Sequence, residues 1–247
     1  DDPQARAKLA RRLQEILSWD VIFARQENAI FHGDPHAGNV FFLRDHPADP
    51  YRIALLDWGV SGILPRAQRA KLVQLMLGLR LGSKPRIRRS LDALVEGELS
   101  EDTTASQPID RIIDRALQAK KAAPKRLDFD ILCDLIGDLT RLGYEVDFNL
   151  VLFIKSQLTV GGILQELDPK LRPGRPAKGR VVAGLLREGP MRLLNTVYFP
   201  NWNSHAYPSM LSNADVFRYS TQQLGRGTKS LGKRLWKVVR WPFAWID

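Results

Sequence analysis

Three side chains separated by short turn-rich stretches could carry chemistry in this sequence: Asp34, Asn39 five positions on, and Asp57 inside Asp57-Trp58-Gly59. Two apolar runs, Val40 to Leu43 and Ile53 to Leu56, lie between Asn39 and Asp57, and turn formers fill the gap Arg44-Asp45-His46-Pro47-Ala48-Asp49-Pro50. The pattern predicts strand, loop, strand, turn, strand, with the polar residues at strand ends. Such a layout can hold a metal–nucleotide. Mg²⁺ takes one or two carboxylate or amide oxygens from the protein and keeps waters and phosphates for its other positions, which suits Asn39 and Asp57. Asp34 could then orient an attacking hydroxyl or accept its proton. Asp, Asn, Gly and Pro are also ordinary turn residues, so the Asp-x-x-x-x-Asn spacing alone reads more readily as a plain hairpin. The Asp-Trp-Gly at the end of an apolar strand is what tilts the reading toward a site.

This order of parts has the spacing of the catalytic and metal-binding loops of protein kinases. More closely, His32-Gly33-Asp34-Pro35-His36-Ala37-Gly38-Asn39 resembles the HxDPHPGN signature of the UbiB/AarF-domain atypical kinases. Leu55-Leu56-Asp57-Trp58-Gly59-Val60-Ser61-Gly62 is similar to that family's LLDFGxxG, and Ser156 to Pro169 resembles the helix ending in LDP late in its kinase domain. The departures are Ala37 for Pro and Trp58 for Phe; neither removes a ligand atom. The resemblance covers roughly residues 5–172.

The resemblance implies a mainly α (α+β) fold: a protein-kinase-like large lobe, with a short β-hairpin carrying the catalytic and metal-binding loops and with the small lobe missing. It implies ATP and Mg²⁺ as cofactors and phosphoryl-transfer or ATPase chemistry, associated with ubiquinone or other isoprenoid-lipid metabolism. Asp34 would be the catalytic aspartate with His32 beside it. Asn39, Asp57, Gly59 and His36 would surround the nucleotide, and Asn39 and Asp57 would bind the metal. A metal site built on His32 and His36 is the weaker reading, because Mg²⁺ prefers oxygen. Two alternatives stay open. Aminoglycoside- and choline-kinase-type phosphotransferases share the His-Gly-Asp-x-His-x-Gly-Asn loop and the Asp-Trp pair, although Pro35, Val60-Ser61-Gly62 and Leu167-Asp168-Pro169 favour UbiB. A non-catalytic lipid-associated scaffold is the other.

A kinase small lobe needs a nucleotide-covering loop and a strand lysine. Residues 1–31 hold no glycine and only Lys8, and nothing corresponds to the family's Lys-x-Gly-Gln segment. The expectation is that the sequence is the C-terminal part of a longer protein, inactive without the small lobe; the rival is a product that lacks that lobe.

The chain has 247 residues, 44% of them hydrophobic, enough for a real core. Its single cysteine, Cys133, excludes an internal disulfide and fits a reducing compartment. No signal peptide is expected, nor a membrane span, since no run approaches the ~18 apolar residues that one needs. A cytoplasmic protein, with peripheral membrane attachment, is the expectation. The net charge of +10 points to an anionic partner: nucleotide, nucleic acid or acidic lipid surface. Nucleic acid is not expected, because the basic residues are dispersed and no recognised binding pattern appears.

Helical periodicity predicts a first helix from Gln4 to about Asn28, leading into a strand Ala29 to Phe31. After Gly62 only helices are predicted: Pro65 to Arg80, Pro85 to about Glu96, Pro108 to about Ala122, Asp130 to Leu142, and Leu150 to Leu167. The last is the most apolar. The Gly161-Gly162 pair inside it suggests close packing or a kink. Pro- and Arg-rich residues from 168 to 176 mark a linker, dividing a kinase-like C-lobe, 1–172, from a basic extension, 173–247. The extension is expected to hold a modest helix, Val181 to Leu194, and an aromatic loop around His205, read as an ordinary loop histidine. At its end a terminal amphipathic helix sets Leu231, Leu235, Val238 and Val239 against Lys229, Lys233, Lys237 and Arg240, with Trp236, Trp241 and Trp245 at its edge. That helix suits an anionic membrane surface or an isoprenoid lipid, or else docks on its own domain with its lysines solvated.

Overall fold

The computed structural model describes residues 2–43, 51–95, 99, 106–122, 128–171, 184–192, 207–218 and 221. The predicted terminal amphipathic helix and the loop holding His205 lie outside the described residues. The chain forms two compact units, Asp1–Arg187 and Glu188–Asp247.

The first unit is mostly helical, as expected, and holds two small sheets. Helix α1 (Pro3–Gln14) starts where the Asp2 carboxylate accepts from the Gln4 amide at 2.8 Å. It runs on through a π turn, Glu15–Trp19, and a short α2, Asp20–Ile22. The single long helix predicted there is therefore wound one residue wide at its middle. The tertiary cause is visible. Gln157 donates its amide to the Leu17 carbonyl at 3.1 Å and accepts from the Ser18 hydroxyl at 2.5 Å, fully buried. A π turn releases a carbonyl from the helical ladder, and a side chain from elsewhere takes it up.

Strand β1 (Asn28–His32) pairs antiparallel with β4 (Ser61–Pro65), and β2 (Val40–Leu43) pairs antiparallel with β3 (Arg52–Leu55). The hairpin β2–β3 was legible in the sequence. Strand β4 corrects the expectation of helices only after Gly62: too short to show alternation, it is made by pairing with β1. Both ladders bury one face. Val40, Phe42, Ile53 and Leu55 lie against Ala10, Leu13, Leu17, Val160 and Leu164. In the other ladder Phe31 is inward and edge-on to Phe153, whose ring meets Phe129 in the same way.

Helices α3 (Arg66–Leu81), α4 (Lys84–Leu94), α5 (Ser106–Ala122), α6 (Asp128–Arg141) and α7 (Phe148–Leu167) complete the unit close to their predicted spans. Gly82, at φ 66°, ends α3 as a left-handed cap. Asp147 caps α7 by accepting from the Leu150 amide at 3.0 Å. With 20 residues and a mean hydropathy of 1.2, α7 is by length and composition apolar enough to cross a membrane, which corrects the count of apolar runs. Lys155, Ser156 and Gln157 interrupt the run; Ser156 and Gln157 are buried and hydrogen-bonded, as in the central helix of a packed domain. The helix runs unbroken through Gly161-Gly162. Gly162 is exposed with no atom within 4 Å of a Cβ built on it, so close packing does not explain that glycine.

Arg69, on α3, is fully buried and donates to the carbonyls of Ile22, Ala24, Gln26 and Glu27 at 3.3, 2.6, 2.5 and 3.0 Å. Those four bonds hold the connection from α2 into β1. Burial, then Arg66, lowers the guanidinium's pKa, with Glu27 opposing.

The second unit is organised around Arg192. Its guanidinium binds the buried Glu188 carboxylate at 2.7 Å, the Ser209 hydroxyl at 2.9 Å, the Leu211 carbonyl at 2.8 Å and Asn213 Oδ1 at 2.7 Å, and lies 3.9 Å from the centre of the Tyr207 ring. Ser212 and Asp215 then form a reciprocal capping box for the turn that follows.

Candidate functional site

The two ladders bring the sequence-predicted residues together. Residues 33–39 leave the end of β1 and enter β2; residues 56–60 leave β3 and enter β4. Because His32 pairs with Ser61 and Val40 pairs with Leu55, both connections run between the same two ladders, side by side. Each ladder extends one bond into the connections: the Gly33 amide donates to the Val60 carbonyl at 2.9 Å, and the Leu56 amide to the Asn39 carbonyl at 2.9 Å. A Cβ at Gly33 would stand 2.8 Å from Val60 Cγ1, so a glycine is needed where the two connections touch.

His32 is 3% exposed and locks the crossing. Its Nδ1 lies 3.2 Å from the Asp34 amide and its Nε2 2.8 Å from the Leu56 carbonyl. An amide only donates and a carbonyl only accepts, so the ring is neutral with its proton on Nε2. His32 thus bridges the Asp34 loop to the Asp57 loop. Both its nitrogens are engaged by backbone, which makes it a brace rather than a proton carrier. His36 is exposed, and its Nδ1 accepts from the Gly38 amide at 3.1 Å, capping the 3-10 turn Ala37–Asn39. Among the described residues no three His, Cys, Asp or Glu side chains gather as a metal group.

Asn39 is 8% exposed, and its Nδ2 donates to the Asp34 carbonyl at 3.3 Å. Asp34 and Asp57 are exposed. Asp57 sits at φ 53°, left-handed, and its Oδ1 accepts from the Gly59 amide at 3.2 Å. Asp and Asn tolerate that region better than most side chains. Gly59 is exposed in the same turn, its role here being that amide. Hard oxygens from two segments, braced by bonds to the backbone, fit a hydrated Mg²⁺ better than a transition metal.

Sequence reasoning missed the supports. Asn149, near the start of α7, accepts from the Ile63 amide at 3.3 Å and so satisfies β4 from outside its ladder. Arg69 did leave a signal, standing in line with Leu72, Val73 and Met76 at helical spacing on an apolar face.

Comparison with known proteins accords with the motifs. Residues 4–91, which contain Asp34, Asn39 and Asp57, match the ABC1 atypical kinase-like domain. The "Probable protein kinase UbiB" of Shewanella woodyi is 28% identical over 178 residues, 70% of this chain and 32% of that protein. Its namesakes in Shewanella denitrificans and Cellvibrio japonicus are 29% and 28% identical, over 79% and 66% of this chain and 35% and 29% of theirs. The chain therefore spans about a third of the length of these relatives. No solved structure matches.

Proposed function

Because the chain is related to the UbiB-type atypical kinases, we propose that residues 31–62 form the Mg²⁺–nucleotide half of a phosphoryl-transfer or ATPase site in a kinase-like large lobe. The observation that carries this reading is the paired connection: Asp34, Asn39 and Asp57 issue from two adjacent loops that His32 bolts together. Asn39 Oδ1 and the Asp57 carboxylate would hold the metal. Mg²⁺ supplies positive charge that neutralises the phosphates. Asp34, exposed at the mouth of its loop, would orient an acceptor hydroxyl and take its proton. The nucleotide is ATP in this reading, and the setting is ubiquinone or isoprenoid-lipid metabolism, by family likeness alone. The lobe assignment, 1–172 with a basic extension 173–247, belongs to the same proposal, as does peripheral attachment of the extension to an anionic membrane.

Thermal unfolding with ADP or ATP, with and without Mg²⁺, tests the site. Ligand at ~100 times its dissociation constant stabilises by roughly 2.7 kcal/mol. A Mg²⁺-dependent shift lost in Asp57→Ala is the expected result. A shift that persists in that variant removes Asp57 from the metal site. For the extension, co-sedimentation with phosphatidylserine vesicles should exceed that with phosphatidylcholine vesicles and fall with salt.

A further inference from the structure

Trp58 is half-exposed and large, yet the structure gives it two directional contacts, one to the end of β3 and one to the end of β1. Its indole Nε1 donates to the Leu55 carbonyl at 3.2 Å. Its ring lies 5.0 Å from the His32 ring, inclined by 49°. The first contact reaches back over Asp57, the one residue of this loop at positive φ, and closes the turn on it. The second rests on the histidine whose nitrogens hold the Asp34 amide and the Leu56 carbonyl. At 47% exposure, burial does not account for a tryptophan here. Its N–H does something that phenylalanine cannot: phenylalanine would keep the ring contact and lose the bond across Asp57.

We propose that Trp58 is a positioning residue, whose indole N–H pins the left-handed turn at Asp57 while its ring braces His32, so that the Asp57 and Asp34 loops are held in one fixed arrangement before any ligand binds. The functional half of this inference rests on the Mg²⁺–nucleotide reading of the site; the structural half does not.

Two measurements on the 247-residue chain separate these halves. In the ligand-free protein, nuclear magnetic resonance should show an indole N–H at Trp58 shielded from solvent exchange and a neutral His32 with its proton on Nε2. In Trp58→Phe the His32 tautomer should persist, while backbone order parameters at Asp57 and Gly59 fall. In Trp58→Ala both should be lost. Wild-type order at Asp57 and Gly59 in Trp58→Phe overturns the proposal. In titration calorimetry with ADP, Trp58→Phe should weaken Mg²⁺-dependent affinity roughly 3- to 10-fold, the range one net hydrogen bond supplies. Metal-free ADP affinity should stay unchanged. If wild-type chain binds no nucleotide at all, these 247 residues do not hold nucleotide by themselves, and the order parameters alone decide whether Trp58 positions the turn. Equal loss of affinity with and without Mg²⁺ also overturns the positioning role, because it marks a general loosening of the loop.

Discussion

Gly62 and Gly162 should respond in opposite directions to the same substitution. A Cβ on Gly62 would run into the Phe31 ring, itself 2% exposed and wedged against Phe153, so Gly62→Ala should destabilise by about 1–3 kcal/mol. Gly162 lies mid-helix with open space around it, so Gly162→Ala should stabilise by roughly 0.5–1 kcal/mol. Urea unfolding of the two variants checks both signs. Cys133 offers a pH test at the same scale. Burial raises its thiol pKa, and Asp134 and Asp130 add to the rise, so less thiolate is present at pH 8 than in a free cysteine. Alkylation by iodoacetamide should be slower than for a cysteine peptide at pH 8, and the gap should narrow as the pH rises further. At this scale the candidates were legible, since Asp34, Asn39 and Asp57 stand out by type and spacing. What His32 does was not. Its type suggested a catalytic partner, and only the distances show a ring held by backbone on both nitrogens.

Among elements, the departure from expectation at the first helix has one cause that can be tested. The π turn Glu15–Trp19 exists opposite Gln157, 140 residues from Leu17, and nothing local in Glu15-Ile16-Leu17-Ser18-Trp19 forecasts it. Gln157→Leu leaves the buried Leu17 carbonyl and Ser18 hydroxyl without this partner and should destabilise by about 1–3 kcal/mol. Adding Ser18→Ala to that variant should recover part of the loss, and the double-mutant cycle in urea should show coupling of at least ~0.5 kcal/mol. Arg69 does a comparable service between α3 and the entry to β1. Arg69→Leu removes a donor from four carbonyls, of which Glu27's keeps the Arg66 amide, and should lower stability by roughly 3 kcal/mol or more, with Arg69→Lys failing to restore it because an ammonium cannot span the same fork. Protease cleavage within residues 23–27 should accelerate in both variants.

For the whole molecule, the division into two units makes the site separable from the second unit. Every side chain assigned to the metal–nucleotide site lies in Asp1–Arg187, whereas the Arg192 cluster lies in Glu188–Asp247. Breaking one partner of a buried ion pair leaves the other uncompensated, at a cost of about 3–5 kcal/mol. Arg192→Met should therefore loosen the second unit, seen as faster amide exchange at Ser209 and Ser212, while leaving the Mg²⁺-dependent thermal shift of the first unit in place. Loss of that shift in Arg192→Met would mean that the two units do not unfold separately.

The sequence by itself determined the helical class, the β2–β3 hairpin and the identity of the acidic and amide residues, because periodicity, turn formers and hard-oxygen side chains are local properties. The tertiary structure decided what local patterns cannot carry. Strand β4 exists because β1 lies beside it. The π turn exists because Gln157 reaches it. The Asp34 and Asp57 loops lie side by side because two ladders with fixed register deliver them there and a buried histidine joins them. Each depends on hydrogen bonds between residues well separated in sequence, up to 140 positions for Gln157 and Leu17, and the partner in such a bond is chosen by packing rather than by neighbours along the chain.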